Sequence, residues 1–155
     1  MEYVHHPINA FHLLQRTTTW IPKLKKLIPT LEFHFNIPSA SDAKFGASNG
    51  IADLQEYHNI STLDLVKKGQ ITNYMTGETY LARSSLTSNE ALQIATAARQ
   101  ARYFDNYVSW CEAALEVSKA ENRDKKYIKH IKYVNVYIRV ILFFTFKNQV
   151  FMKVE

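Results

Sequence analysis

The sequence contains one cysteine, four glycines and four prolines among its 155 residues. A single cysteine excludes an internal disulfide, and the small number of glycines and prolines argues against long disordered linkers. A chain of this length normally buries one hydrophobic core, or two small helical lobes that share little surface. We therefore expect one or two small folded units that no covalent cross-link holds together.

The sequence also lacks the spacing of a helical metal site, because no two of its six histidines are four residues apart. His5 and His6 precede a predicted helix and add no further ligand pattern. Cys111 lies on the predicted packing face of a helix, where a small buried hydrophobe is expected and a reactive thiol is the alternative. We predict no catalytic residue, no metal ligand and no cofactor within this chain.

Acidic residues are scarce only near the C-terminal end. Residues 1–118 contain ten Lys/Arg and eleven Asp/Glu, for a net charge of −1, whereas residues 119–155 contain nine and three, for a net charge of +6. The overall charge of +5 therefore belongs to the tail. Because a nucleic-acid-binding domain carries its basic residues as a patch on the folded core, we predict no nucleic-acid partner.

The segment from Leu86 to Ala120 has the pattern of two helices that fold back on each other. Thr87 and Glu90 have the spacing of a capping box, which marks the start of the first helix. Small apolar residues then recur at helical intervals and allow a second helix to approach closely. These residues are Ala91, Ile94, Ala95 and Ala98.

A second helix follows a predicted turn at Arg102 to Asn106. Ala95 and Ala114 are nineteen residues apart, which is the separation of the small packing positions in a tetratricopeptide repeat of about 34 residues. An ordinary antiparallel helical hairpin explains the spacing equally well. The predicted apolar stripe of the second helix consists of Tyr107, Trp110, Cys111, Ala114, Leu115 and Ser118.

Three blocks of sequence, in the same order, resemble the alpha subunits of collagen prolyl 4-hydroxylase. The hairpin is similar to the first repeat of the family's peptide-substrate-binding domain, with Leu86-Thr87 at its start, Trp110 in its second helix and Glu112 to Leu115 at its end. The stretch GIADLQEYHNISTLDLVKKGQI is similar to the region upstream of that repeat, and HPINAFHLLQRTTTW to the family's N-terminal helix. Together the blocks cover roughly residues 6 to 120.

The resemblance implies part of a procollagen-proline 4-dioxygenase, located in the lumen of the endoplasmic reticulum. The family uses Fe(II), 2-oxoglutarate and ascorbate, with an iron site built from a His-x-Asp pair and a distant histidine. No His-x-Asp occurs in this sequence, so hydroxylation is expected only in a fuller subunit. No signal peptide is recognisable in this chain. The implied partners are a proline-rich collagen-like peptide, a second alpha subunit and protein disulfide isomerase.

The candidate peptide-binding residues are Leu92, Thr96, Arg99 and Tyr103, which are spaced four, three and four apart on the first repeat helix. They point away from the second helix, on the face that lines the groove in such repeats. Arg99 stands where the family carries a ligand-stacking tyrosine, so weak binding is expected. The alternatives are that these are ordinary solvated residues and that the chain is a structural scaffold for subunit assembly without peptide binding.

The predicted fold class is all-α, with helical hairpins and one tetratricopeptide-like repeat. We predict an N-terminal helical segment at 1–36, a linker at 37–50, an incomplete helical peptide-substrate-binding-like region at 51–120 and a divergent basic tail at 121–155. Asn59 begins an Asn-Ile-Ser glycosylation sequon, while Ser61 and Gly69 have the residue types that start and stop a short helix.

An apolar stripe on the N-terminal segment needs a partner. Pro22 is tolerated in the first turn of such a helix. The stripe packs either against a helix of another subunit, as the resemblance implies, or within the chain. Its members are Trp20, Ile21, Leu24, Leu27 and Ile28.

The tail gives conflicting signals. Val, Ile, Tyr and Phe dominate residues 133–146, which favours a strand on propensity, yet the preceding Lys and Ile residues have helical spacing. With fourteen residues and Arg139 near its middle, this run is too short and too charged for a membrane span. A basic amphipathic membrane contact is one interpretation, and a non-native or alternatively spliced end without a family role is the other.

Overall fold

The computed structural model describes residues 5–28, 39–73 and 75–151, with residues 138 and 141–151 described by their backbone alone. The all-α prediction is confirmed, since about 75% of the described residues are helical and the only described sheet is a small hairpin. The helices are α1 (Pro7–Leu27), α2 (Ala40–His58), α3 (Thr62–Lys68), α4 (Ser88–Gln100), α5 (Phe104–Ala120) and α6 (Lys125–Phe151), and the strands are β1 (Gln70–Thr72) and β2 (Thr79–Leu81).

The antiparallel pair of α4 and α5 forms the centre of the core, which confirms the predicted hairpin. Both hydrogen bonds of the Thr87–Glu90 capping box are present. Because α4 faces α5 with alanines, the two helices approach closely enough to bury the large indole of Trp110 completely. Cys111 is buried beside it, as predicted for a small packing residue.

The linker prediction is wrong for residues 40–50, which form the first half of α2. The Ser39 hydroxyl accepts a hydrogen bond from the amide of Asp42 at 3.1 Å, so a residue typical of loops instead caps a helix. Ala43 and Ser48 are buried, and α2 packs against both α1 and α4. Residues 37 and 38 lie outside the described part.

Helix α1 is a single helix with Pro22 in its interior, so the expectation of a proline in a first turn is wrong. The helix begins earlier, at Pro7, where His6 supplies the cap. Ile8 and Phe11 are fully buried against α2. By contrast, the predicted stripe is largely exposed, and the exposed fractions of Trp20 and Leu27 are 64% and 78%. The described residues therefore do not bury the stripe.

A short helix and a small hairpin connect α2 to α4. The predicted caps of α3 are confirmed, because Ser61 accepts from the amide of Asp64 and Gly69 ends the helix in a left-handed conformation. Strands β1 and β2 then pair antiparallel, with Ile71 opposite Tyr80. The sequence interpretation did not include this hairpin.

The tail forms the long helix α6, so the strand alternative is wrong for residues 133–146. Ile131 is fully buried and Asn135 nearly so, and α6 packs along α5. The buried residues of this segment have helical spacing, and their packing against α5 decides the structure despite the β-propensity of its Val, Ile, Tyr and Phe residues. Across the described ranges, no helix combines the length and hydrophobicity required to cross a membrane.

Candidate peptide-binding surface

Tyr103 occupies the corner between α4 and α5, where main-chain hydrogen bonds fix its position. Its amide donates to the carbonyl of Ala98 at 2.9 Å, and its own carbonyl accepts from the amide of Tyr107 at 2.9 Å. The preceding residue, Arg102, has φ +66°, the left-handed conformation that reverses the chain after a helix. Tyr103 therefore belongs to a rigid turn.

The side chain of Tyr103 joins this turn to α2. Its hydroxyl donates to Oδ1 of Asp53 at 3.1 Å, across fifty residues of sequence. This hydrogen bond, with smaller contributions from burial and from Tyr57, raises the pKa of Tyr103 to about 12. The phenol is a protonated donor to Asp53 at neutral pH.

Tyr57 lies one helical turn after Asp53 on α2 and is 77% exposed. It interacts with the Tyr103 hydroxyl, so two tyrosines from different helices meet at the surface. A second contact between the same helices joins Nδ2 of Asn106 to Oε2 of Glu56 at 2.7 Å. We call the surface formed by Asp53, Tyr57, Arg99 and Tyr103 the tyrosine edge.

The four residues predicted for peptide binding have different environments. Leu92 is half-buried and packs against the core, so it contributes to packing more than to a surface. Thr96 is exposed, and its hydroxyl donates to the carbonyl of Leu92 at 2.9 Å. Arg99 is exposed, while Tyr103 is half-buried and lies after the end of α4, so the prediction that all four residues share one helix is wrong for Tyr103. The structure thus brings Tyr103 together with Asp53 and Tyr57, which the sequence pattern did not include.

Arg99 lies near the start of α5. Burial raises the pKa of Tyr107 and of Cys111, and the charge of Arg99 opposes this effect at both groups. The buried thiol is therefore poorly ionised at neutral pH, as expected for a structural cysteine. Arg99 is exposed in the last turn of α4, shortly before the turn that contains Tyr103.

A cleft of about 560 Å³ adjoins the tyrosine edge, with Tyr57 on its wall. The start of α1, the end of α2 and the β-hairpin enclose it, so it depends on contacts distant in sequence. We call it the hairpin cleft. Its other described lining residues are His5, His6, Pro7, Leu54, His58, Asn59, Ile60, Ile71, Thr72, Asn73, Met75 and Tyr80.

His6 is a structural residue of this cleft. Its Nδ1 accepts a hydrogen bond from the amide of Ile8 at 3.2 Å and so caps α1. Burial to 5% exposure lowers the pKa of His6, while the nearby carbonyls of Tyr80 and Gly69 oppose the shift without forming full hydrogen bonds to Nε2. The imidazole is therefore neutral at pH 7, with its proton on Nε2.

Asn59 is exposed at the rim of the hairpin cleft. It ends α2 in a left-handed conformation, with φ +48°. Ser61, the third residue of the predicted sequon, uses its hydroxyl to cap α3. The asparagine side chain of the sequon is therefore accessible, and a glycan there would stand beside the cleft.

The part of the chain that the structure describes contains no cluster of three or more His, Cys, Asp or Glu that could hold a metal ion. No known protein family, curated protein or solved structure matches the chain. The tyrosine edge and the hairpin cleft are therefore interpreted from their geometry and from the residues that form them.

Proposed function

We propose that this chain is a peptide-binding part of a procollagen-proline 4-dioxygenase alpha subunit, with the hydroxylation chemistry located outside these 155 residues. The observation that supports this proposal is the position of Tyr103, whose hydroxyl is held by Asp53 and interacts with the exposed Tyr57. The proposal includes a tetratricopeptide-like role for the α4–α5 pair and a location in the endoplasmic reticulum lumen. The parent enzyme would supply Fe(II), 2-oxoglutarate and ascorbate chemistry.

A pair of tyrosine rings suits a proline-rich ligand for physical reasons. A polyproline II strand is already extended, so it loses little conformational freedom when it binds, and aromatic grooves are its usual receptors. Tyr57 offers an exposed ring for stacking against a pyrrolidine. The hydroxyl of Tyr103 donates its hydrogen bond to Asp53. Its oxygen lone pairs and its ring face therefore remain to contact the peptide.

Arg99 and Thr96 extend the tyrosine edge along α4. The guanidinium of Arg99 donates hydrogen bonds to peptide carbonyls, which polyproline II strands leave unpaired. It provides less stacking surface than the tyrosine that the resemblance places there. We therefore propose weak binding, with Tyr57, Arg99 and Tyr103 as the main contacts and with Leu92 as their support in the core.

Chemical-shift titration of the full chain with a (Pro-Pro-Gly)-type peptide tests this function. Tyr57→Ala should weaken binding roughly threefold to tenfold, as expected for the loss of one aromatic contact. Tyr133→Ala removes a tyrosine of similar exposure, 70%, from α6 and serves as the matched control. Equal affinity of both variants, or no shift at the tyrosine edge with unmodified protein, would contradict the proposal.

Subunit assembly is the second proposed function, and the exposed stripe of α1 favours it. Leu13, Trp20 and Leu27 follow each other at seven-residue intervals and are all exposed. Such spacing is typical of a helix that packs against a partner helix. By resemblance, the partner is a second alpha subunit, and protein disulfide isomerase belongs to the same proposed assembly.

Sedimentation velocity separates the two functions. Trp20→Ala combined with Leu27→Ala should reduce self-association and leave peptide binding unchanged, because the stripe does not include the tyrosine edge. Self-association that persists in this variant would refute the role of α1. Self-association without any peptide binding would support a structural scaffold in place of a binding module.

A further inference from the structure

Helix α6 has two faces of different character. One face contacts α5 and includes the fully buried Ile131, the nearly buried Asn135 and the half-buried Val134. The opposite face is exposed. At 100° per residue, the residues on that side fall on one continuous strip of the helix surface. We call this strip the free face; its members are Lys125, Lys126, Lys129, Tyr133, Val136, Tyr137 and Val140.

The free face combines positive charge with apolar and aromatic groups. Its three lysines occupy the first turns of α6, and none of them forms an ion pair within the described residues. The rings of Tyr133 and Tyr137 stack beyond them, with centroids 6.2 Å apart, and two exposed valines flank the pair. The free face carries no carboxylate.

The negative groups near α6 lie elsewhere. Asp124 accepts a hydrogen bond from the amide of Tyr127 at the start of the helix. Glu112 on α5 pairs with Arg139, which lies at the edge of the contact with α5. Neither neutralises the lysines, so the positive charge of the tail is concentrated on an exposed surface.

The length of α6 adds to this arrangement. The helix has 27 residues against 17 for α5, along which it packs. At 1.5 Å per residue, α6 is therefore about 15 Å longer than α5. The sequence of its C-terminal end, ILFFTFKNQVF, is rich in phenylalanine and branched aliphatic residues and contains no acidic residue.

We propose that the free face of α6 binds an anionic lipid surface. Lysines lie against the headgroups, and tyrosine and valine enter the boundary between headgroups and acyl chains, where amphipathic rings are favoured. Charge complementarity selects this occupant. A second copy would bring no carboxylate to the lysines, because the free face has none, and a nucleic acid would leave the exposed valines without an apolar contact. The inference is independent of peptide binding.

Co-sedimentation of the full chain with lipid vesicles tests the inference. The protein should bind vesicles of phosphatidylcholine mixed with phosphatidylserine, bind pure phosphatidylcholine much less, and dissociate as salt is raised. Lys126→Glu with Lys129→Glu should lower the partition coefficient about 30-fold or more, since each basic residue near such a surface contributes roughly fivefold. Circular dichroism confirms that the variant remains folded.

The matched control is Lys23→Glu with Lys44→Glu, which changes the net charge equally at exposed positions on α1 and α2. It should reduce binding far less than the α6 variant. Equal losses in the two variants would overturn the inference, because they would show that total charge or α1 is responsible. Equal binding to neutral and anionic vesicles would overturn it as well.

A fluorescent label locates the contact. We expect the fluorescence emission of an environment-sensitive dye attached to Val136→Cys to shift to shorter wavelength when anionic vesicles are added. The emission of the same dye on Thr96→Cys in α4 should not shift. Cys111 is buried and its pKa is raised by burial, so it reacts slowly with the dye. An unshifted label at position 136 would refute the inference. Binding to single-stranded RNA without binding to vesicles would replace it with a nucleic-acid function.

Discussion

The indole nitrogen of Trp110 donates its hydrogen bond to the side-chain oxygen of Gln55, fifty-five residues earlier in the chain. The amide nitrogen of Gln55 in turn donates to the hydroxyl of Thr62. All three side chains are buried. Gln55, on α2, therefore provides hydrogen-bond partners for the indole of Trp110 on α5 and the hydroxyl of Thr62 on α3. These two bonds fix the relative positions of the three helices.

We predict that Gln55→Leu lowers the free energy of unfolding by about 1–3 kcal/mol, because it leaves the buried donor of Trp110 without a partner. Urea denaturation followed by circular dichroism measures the change. Gln100→Leu, at an exposed position of α4, is the control and should change stability by no more than about 0.5 kcal/mol. Similar effects of the two substitutions would show that the hydrogen bond has little energetic importance.

Arg99→Tyr should strengthen binding of a proline-rich peptide by roughly threefold to tenfold, since it adds an aromatic face beside Tyr103. Isothermal titration calorimetry or chemical-shift titration provides the measurement. Gln100→Tyr introduces the same ring at the neighbouring exposed position, where it should have a smaller effect. An undetectable interaction in both the native protein and Arg99→Tyr would count against a peptide groove.

His6 should make stability decrease in mildly acidic solution. Burial lowers the pKa of His6 in the folded protein, so the unfolded chain takes up a proton more readily. The neutral imidazole therefore stabilises the fold at pH values above about 6.5, which is the pKa of His6 in the unfolded chain. This contribution is lost as the pH falls through the lower pKa of His6 in the folded protein. Protonation of Nδ1 also removes the acceptor that caps α1.

The measurement is the free energy of unfolding as a function of pH for the native protein and for His6→Asn. Asparagine retains a cap acceptor and does not titrate, so its curve should fall less between neutral pH and pH about 5. All other histidines are common to the two proteins. Parallel curves would show that His6 is not the titrating group.

Gly69→Ala should destabilise the protein more than Gly77→Ala. Both glycines have positive φ, +62° and +72°, so both substitutions incur a conformational cost of roughly 1–2 kcal/mol. Only at Gly69 would the new Cβ lie 2.9 Å from the Cβ of Ala82, which forces the hairpin away from α3. Equal losses in thermal or urea denaturation would mean that the hairpin moves without cost.

Local patterns were sufficient to predict several elements. The capping box of α4 involves residues three positions apart, and Ser61 and Gly69 mark the ends of a seven-residue helix. The beginning of α2 was missed because its serine, alanine and glycine content is also typical of linkers. Its helical state depends on the Ser39 cap and on packing against α1 and α4, which composition does not report.

The candidate site was less predictable than the fold. Arg99 and Tyr103 could be selected by helical spacing, but the partner of Tyr103 is Asp53, fifty residues away on α2. No short-range pattern indicates such a pair. The hairpin cleft likewise joins three distant segments. Tyr57, the most exposed ring of the tyrosine edge, therefore became visible only in the folded chain.

Tyr103 participates in three helices at once. Its amide donates to the carbonyl of Ala98 in α4, its carbonyl accepts from the amide of Tyr107 in α5, and its phenol is held by Asp53 of α2. The main-chain bonds fix the backbone of Tyr103, and the hydrogen bond to Asp53 holds its phenol, so the ring changes position only when that bond is broken. The tyrosine edge is therefore preorganised before any ligand arrives, and the loss of conformational entropy on binding falls mainly on the ligand.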